Sequence, residues 1–499
     1  MPTQRIRIPA TTLVWLLAGC SSLPADLGRN NVAGLVVARG TPAPVPEEAA
    51  GARLVADLAA RPLTADGAVR IALVNNPRLK AEYARLGIAS AEVYDACRLS
   101  NPTLSAAWLN SDESGAADQV GFGLSQSFTD ILLLSARKRL AKGEFERTQQ
   151  SVGREIQNLA TETETAYYRL VGAKQVAAMR ATVAKAADVS AELAQRFFGA
   201  GNIGRLELAQ EQAAAAESRL KRLEAEANVA EARAELNVLL GFTDGQFKWD
   251  VSDRLPMPVA QEDELSSLQA LAEQNRLDLA AARAAVDLLA DSLAVTRRYH
   301  WLGAFELGVE TERETDRSRI TGPTLALELP LFNPGKGRVA RAESLLQQAD
   351  SDLRNRLIEA SNAVQLAHAG LLNTRARAEL YRSTLIPQRE AIVQRTLEEV
   401  NYMLKGQFEL LFAKQQEYDA YQGYLEALRD YWQARVELAR QIGTRLPSDA
   451  QIGDQTLDVE TLITPKDAGT DHTGHSMSED APGAPASITD GQAGPHHEH

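Results

Sequence analysis

At 499 residues, with a formal net charge of −13 and aromatic residues at only 5%, the chain is acidic and poor in the rings that fill thick globular cores. No basic stripe offsets that charge, which argues against nucleic acid as a partner. The remaining Ala-rich, charge-rich sequence favours long, closely packed helices.

Arg5 and Arg7 precede an apolar stretch, Ile8 to Leu17, that is too short to span a bilayer as a mature helix and ends in Leu17-Ala18-Gly19-Cys20. The pattern resembles a bacterial lipoprotein signal. Residues 1–19 are then a cleaved leader, Cys20 carries the lipid, and Ser21 fits sorting to the outer membrane. One lipid chain anchors weakly, so a second element must hold the protein in the membrane. The other cysteine, Cys97, reads as a small packing residue in an Ala-rich helix, and a lipidated Cys20 leaves it no disulfide partner. Residues 20–62, with Pro42, Pro44 and Pro46, read as an extended strap.

From Leu63 onward the chain says the same thing twice. Ile71, Ala72, Asn75, Leu79, Ala81, Ala84 and Arg98 return as Leu271, Ala272, Asn275, Leu279, Ala281, Ala284 and Arg298. Leu206, Leu220, Leu223 and Ala234 return 205 positions later as Leu411, Leu425, Leu428 and Ala439. The expected boundaries are 63–262 for the first repeat, 263–464 for the second, and 465–499 for a disordered tail. A unit that mixes coiled-coil helices with short strand pairs closes no core alone, so the repeat reads as a wall.

Within each repeat a helical pattern comes first. In copy one it pauses at Asn76-Pro77 and stops at Asn101-Pro102, where Pro disfavours helix in the residue before it. Strands follow at about 102–110 and 119–128, and in copy two at about 302–311 and 320–331. Val120, Phe122 and Leu124 alternate with small residues; Phe305, Leu307 and Val309 alternate with Glu306, Gly308 and Glu310; Leu325, Leu327 and Leu329 alternate with Ala326 and Glu328. Segments of about nine to eleven residues with one apolar face match transmembrane β-barrel strands. Trp108, Phe128, Tyr299, Trp301 and Phe332 lie near their ends, where an interfacial aromatic girdle belongs. Glu306, Glu310 and Glu328 would then line the pore and modestly favour cations. Four strands cannot close a barrel in lipid, because open edges leave backbone groups unpaired; three copies of the chain would supply twelve.

Long helical stretches follow, Leu134 to Phe198 and Arg338 to Leu404, each about 100 Å if continuous, with a kink expected at Pro387. Gly-containing turns end them. The first returning helix carries a heptad seam through Leu206, Ala209, Ala213, Ala216, Leu220, Leu223, Ala227, Ala230 and Ala234. The 205 offset places Leu411, Lys414, Tyr418, Tyr421, Leu425, Leu428, Trp432, Arg435 and Ala439 on the second seam.

This order of elements resembles the TolC-type outer-membrane efflux protein family, over about Leu63 to Gly443. Asn76-Pro77-Arg78-Leu79, Leu329-Pro330-Leu331-Phe332-Asn333, and the tip glycines Gly201 and Gly406 carry the likeness. The resemblance implies a mainly α fold with a small β part. Four transmembrane strands per protomer would form a twelve-stranded barrel in a homotrimer, continued by a periplasmic α-barrel of helical hairpins. It also implies a passive, non-enzymatic duct in the outer membrane whose tips dock a periplasmic adaptor protein and an inner-membrane pump of the RND type. The tip residues here are Gly201, Asn202, Ile203, Gly204 and Leu206, with Gly406, Gln407, Phe408 and Leu411. Where some relatives place constricting aspartates, this chain has Phe412 and Gln415, with Glu409 the nearest acid.

The tail holds five of the seven histidines: His472, His475, His496, His497 and His499, with Met477 beside the first pair. Imidazole and thioether suit Cu, Ag or Zn as weak, exchangeable cargo rather than a tightly bound cofactor. This tilts the expected substrate toward heavy-metal cations. The alternatives are a drug-efflux or type I secretion duct of the same fold, or a periplasmic metal-binding lipoprotein that forms no pore.

Overall fold

The computed structural model describes residues 25–44, 48–110, 112, 116–243, 245, 247–252, 254–453 and 456. Among the described residues two short helices come first, α1 (Arg29–Val37) and α2 (Glu48–Ala59). The first repeat runs α3 (Ala65–Asn75), α4 (Pro77–Ala96), β1 (Thr103–Leu109), β2 (Gln119–Ser127), α5 (Phe128–Gly199) and α6 (Arg205–Leu240). The second runs α7 (Leu265–Asn275), α8 (Leu277–Tyr299), β3 (Phe305–Arg313), β4 (Arg319–Leu327), α9 (Lys336–Leu380), α10 (Ile386–Asn401) and α11 (Gln407–Ile442).

Helix boundaries follow side-chain chemistry. The Thr64 hydroxyl accepts from Gly67 N at 3.0 Å and starts α3. The Asn76 carbonyl accepts from Arg78 N at 2.8 Å and, with Pro77 in the first turn, starts α4. Asn76 Nδ2 also donates to Leu239 O at 2.8 Å, tying α4 to the end of α6. In copy two Arg276 replaces that asparagine and donates to the matching carbonyl, Gln441 O, at 3.0 Å.

The extended strap expected over 20–62 is corrected by α1 and α2. Val32 and Val36, one turn apart, are fully buried, α1 packing on α5, so burial of an apolar stripe overrides the proline-rich context. Pro42 and Pro44 fall in the linker between the two helices. At Pro387 the expected break takes the form of a π-helical turn, Tyr381–Leu385, just ahead of it. Pro387 itself lies in the first turn of α10, directly after that π turn. The turn sets the Tyr381 ring against Gly423 of α11, where any Cβ would sit 2.5–2.7 Å from the ring and its hydroxyl.

The strands form one antiparallel sheet, β1-β2-β3-β4, in which β2 pairs with β3 to join the two repeats. Below the sheet the helices form a layer. Above its middle the lateral order is α4-α5-α8-α9; below, it is α6-α5-α11 followed by α9 and α10. The densest core lies at the waist between these halves. There Trp432, Tyr431, Leu425 and Leu428 of α11 are buried, with Tyr168 of α5 stacked on Trp432 at 5.3 Å.

The heptad register requires a correction. The N-cap glycines Gly204 and Gly406, and the C-cap glycines Gly241 and Gly443, lie 202 residues apart, not 205. In that register the buried stripe of α6 (Glu211, Ala215, Ser218, Ala225, Ala232, Leu236, Leu240) falls on Ala413, Glu417, Ala420, Ala427, Ala434, Leu438 and Ile442, all buried in α11 except the half-buried Ala434. The stripe expected on α6 is instead turned outward: Leu206, Leu220 and Leu223 are 72%, 65% and 52% exposed. Leu425 and Leu428 are wholly buried because α11 is flanked by α5 and by α9 and α10, whereas α6 stands at the edge of the layer against α5 and α3.

Candidate functional site

The long hairpins end in two tips of the same shape. At the first, Gly201 adopts φ +78°, a conformation that favours glycine, and its N–H donates to Phe198 O at 2.9 Å while Asn202 N donates to Phe197 O at 2.9 Å. Gly204 then opens α6, its N–H donating to Glu207 Oε2 at 2.8 Å. At the second tip Met403, not a glycine, takes the left-handed position with φ +60°, and Met403 N and Leu404 N donate to Val400 O and Glu399 O. Gly406 has φ −83° and occupies the place of Gly204, so the pairing of Gly201 with Gly406 is corrected to Gly201 with Met403.

The structure brings the two tips together. A groove of about 370 Å³ is lined by Asn202, Ile203 and Glu207 from one tip and Gly406, Phe408 and Leu411 from the other. Gln407 lines it too, whereas Gly201, Gly204 and Leu206 stand at the tip outside it. Its floor includes Glu211, buried and accepting from Ser190 Oγ at 2.8 Å. Sequence reasoning passed over Glu207 and Glu211, although a glutamate three residues after an N-cap is a helix-start signal. Phe412 is 66% exposed and not part of the groove. Gln415 donates to Asp419, which is paired with Arg180 at 3.0 Å.

At the opposite end, strand register sorts the sheet into two faces. Leu104, Phe122, Leu124, Leu307, Val309, Leu325 and Leu327 share one face, and these apolar side chains are largely exposed. Ser105, Gly123, Glu310 and Gly322 align across the other, with Glu306 and Glu312 on the same side. Glu312, which accepts from Gln119 Nε2, lies past the expected strand end at about 311, whereas β3 extends to Arg313. Glu328 lies just past β4, and its carboxylate accepts from Ala304 N at 3.0 Å. Phe128 and Phe305 meet edge-on at 5.1 Å where sheet and helices join.

Cys20 and the tail residues His472, His475, Met477, His496, His497 and His499 lie outside the described residues. Among the described residues no group of three or more His, Cys, Asp or Glu is placed to hold a metal ion, and no helix is long and apolar enough to cross a membrane. Cys97 is a free thiol at the end of α4.

Residues 68–242, most of the first repeat, match the family model described as Outer membrane efflux protein. No curated protein matches the chain. Among solved structures, a membrane protein from Pseudomonas aeruginosa superposes with a TM-score of 0.66 at 17% identity, over 76% of this chain and 92% of that one. CusC, in a crystal structure concerned with folding and transmembrane channel formation, gives 0.64 at 16% identity, over 76% and 92%. The Campylobacter jejuni CmeC outer membrane channel gives 0.63 at 16% identity, over 80% and 88%. The chain therefore has the fold of the outer-membrane channels, and its first repeat carries the sequence pattern of the outer membrane efflux protein family.

Proposed function

We propose that the chain is one subunit of a homotrimeric outer-membrane efflux channel, a passive duct. One observation carries this reading: both layers are left open at both edges. β1 and β4 each have one unpaired side, with a largely exposed apolar face beside it. In lipid such edges are untenable unless other copies pair with them. The helical layer is open in the same way, α6 presenting Leu206, Leu220 and Leu223, and the far edge presenting Ile358, Leu366 and Leu380 of α9. Glu306, Glu310 and Glu312 share the polar face, which would become the lumen and favour cations. The groove between the tips is the natural dock for a periplasmic adaptor and, through it, an inner-membrane pump.

The double substitution Leu220→Glu and Leu223→Glu tests this. Both side chains are exposed within one subunit, so its own fold should persist while the trimer and its conductance in planar bilayers are lost. A variant that still forms conducting trimers rejects the α6 edge as an interface. If the unaltered chain extracts without detergent as a single subunit, the channel itself is rejected.

The cargo rests on the tail alone. We infer heavy-metal cations from His472, His475, Met477, His496, His497 and His499. Deleting residues 466–499 should leave pore formation intact and lower metal tolerance. Unchanged tolerance would leave a drug-efflux or secretion duct as the reading. Cys20 would supply the lipid anchor, checked by metabolic labelling with palmitate and its loss in Cys20→Ser.

A further inference from the structure

At the waist, where the linker after α1 crosses the junction of α5, α8 and α11, lies a partly open cavity of about 80 Å³. Five guanidinium groups line it: Arg39, Arg154, Arg276, Arg440 and Arg445. Only two carboxylates do so, Glu164 and Asp278. In a chain of net charge −13 this is a local reversal of sign.

The acidic partners of these arginines are unevenly shared. Asp278 is shared, bound by Arg276 at 2.7 Å and approached by Arg154 at 3.5 Å. Arg440 is matched by Glu437 at 2.7 Å. Arg39 is half-buried and has no carboxylate partner among the described residues; its Nε donates to Asn275 O at 2.6 Å and Nη1 to Leu35 O at 2.7 Å, and Nη2 is left over. Arg445 reaches Asp66 only at 3.4 Å, while Arg70 holds that same carboxylate at 2.7 Å. Arg39 thus lacks a carboxylate partner among the described residues, while Arg445 shares Asp66 with Arg70 and has Glu164 of the cavity wall as its other acidic neighbour. Guanidinium donors match a tetrahedral oxyanion in geometry, and about 80 Å³ is roomy against the one-water minimum of roughly 10–15 Å³.

We propose that this cavity binds one small inorganic oxyanion of the phosphate class, held chiefly by Arg39 and Arg445. The bound ion ties the linker after α1 to the segment that follows α11, joining the start of the chain to the end of the second repeat. Thr444 Oγ1 donates to Arg39 O at 3.1 Å, so the two donors already belong to one hydrogen-bonded unit. Copy one has no counterpart, because Asn76 stands where Arg276 does.

Equilibrium dialysis of inorganic phosphate against the detergent-solubilised full chain tests the site. One phosphate per chain is expected, with affinity lowered about ten- to a hundred-fold in Arg39→Gln and in Arg445→Gln, as for loss of a charged hydrogen-bond donor. Arg39→Lys should recover part of the loss. Arg219→Gln, on the α6 surface and paired with Asp188, should change nothing. Absence of saturable binding below about 10 mM, or affinity in both Gln variants unchanged from that of the unaltered chain, overturns the proposal. Each variant is first checked for helix content, and Arg445→Gln, at a half-exposed side chain, serves if Arg39→Gln does not fold. The readout is independent of pore formation, so it can fail while the channel reading stands.

Discussion

Glu164 offers a test of the waist by pH alone. It lies on α5 and lines the arginine-rich cavity, and burial pushes its carboxyl from 4.5 up to about 7. Asp66 of α3 and Asp449, beyond α11, act in the same direction, and only Arg445 opposes them. The folded state therefore holds this proton more tightly than the unfolded chain. Between about pH 4.5 and 7 the folded state binds more protons, so stability falls as pH rises through that window, and the full penalty is present above it. At 1.36 kcal/mol per unit, the penalty at pH 8 is about 3 kcal/mol, and it shrinks to below about 1 kcal/mol at pH 5. Glu164→Gln removes the charge at nearly constant volume. It should raise the thermal midpoint at pH 8 by about 3 °C for a chain of this length, with the gain fading toward pH 5. The assay is thermal unfolding of both proteins in detergent, followed by circular dichroism across that range. A difference between them that does not vary with pH would refute the reasoning, since a packing effect carries no proton.

Three further outcomes are expected. Gly201→Val forces a β-branched residue into the left-handed region and should loosen the first tip by more than about 1 kcal/mol, whereas Gly406→Val, with φ −83° and open space around its Cβ, should not; adaptor crosslinking at the tips separates the two. Met403→Gly should stabilise the second tip by up to about 1 kcal/mol, read as slower hydrogen exchange around residues 399–406. Arg435 and Glu262 form an ion pair whose side chains are only 2% and 5% exposed, with Asp449 at 2.6 Å from the same guanidinium; Arg435→Ala should cost about 3–5 kcal/mol in chemical denaturation, because two carboxylates are left without it.

Much of this architecture is legible along the chain because it is local. Alternation at Phe305, Leu307 and Val309 marks a strand, and Asn76-Pro77 marks a helix start, since each rests on backbone preferences of a few neighbouring residues. Register is less local. Leu206, Leu220 and Leu223 form a valid heptad stripe, yet the stripe buried within the chain is the one through Ala215, Ala225 and Leu236. Small residues allow α6 to lie close against α5, and periodicity alone does not say which of two apolar stripes meets the partner helix. The left-handed turn at Met403 was hidden for a related reason: the hairpin geometry imposes it, and no glycine announces it.

What the sequence by itself determined was the duplicated order of helix, strand pair and long hairpin, and the two-faced strands, because burial periodicity and turn chemistry act over a few residues. Only the tertiary structure decided the 202-residue register of the hairpins, the meeting of the two tips in one groove, and the gathering of Arg39, Arg276 and Arg445 around one cavity. Those features join residues hundreds of positions apart. They depend on which surfaces the long helices bury against one another, and packing is chosen by the whole layer rather than by any one segment.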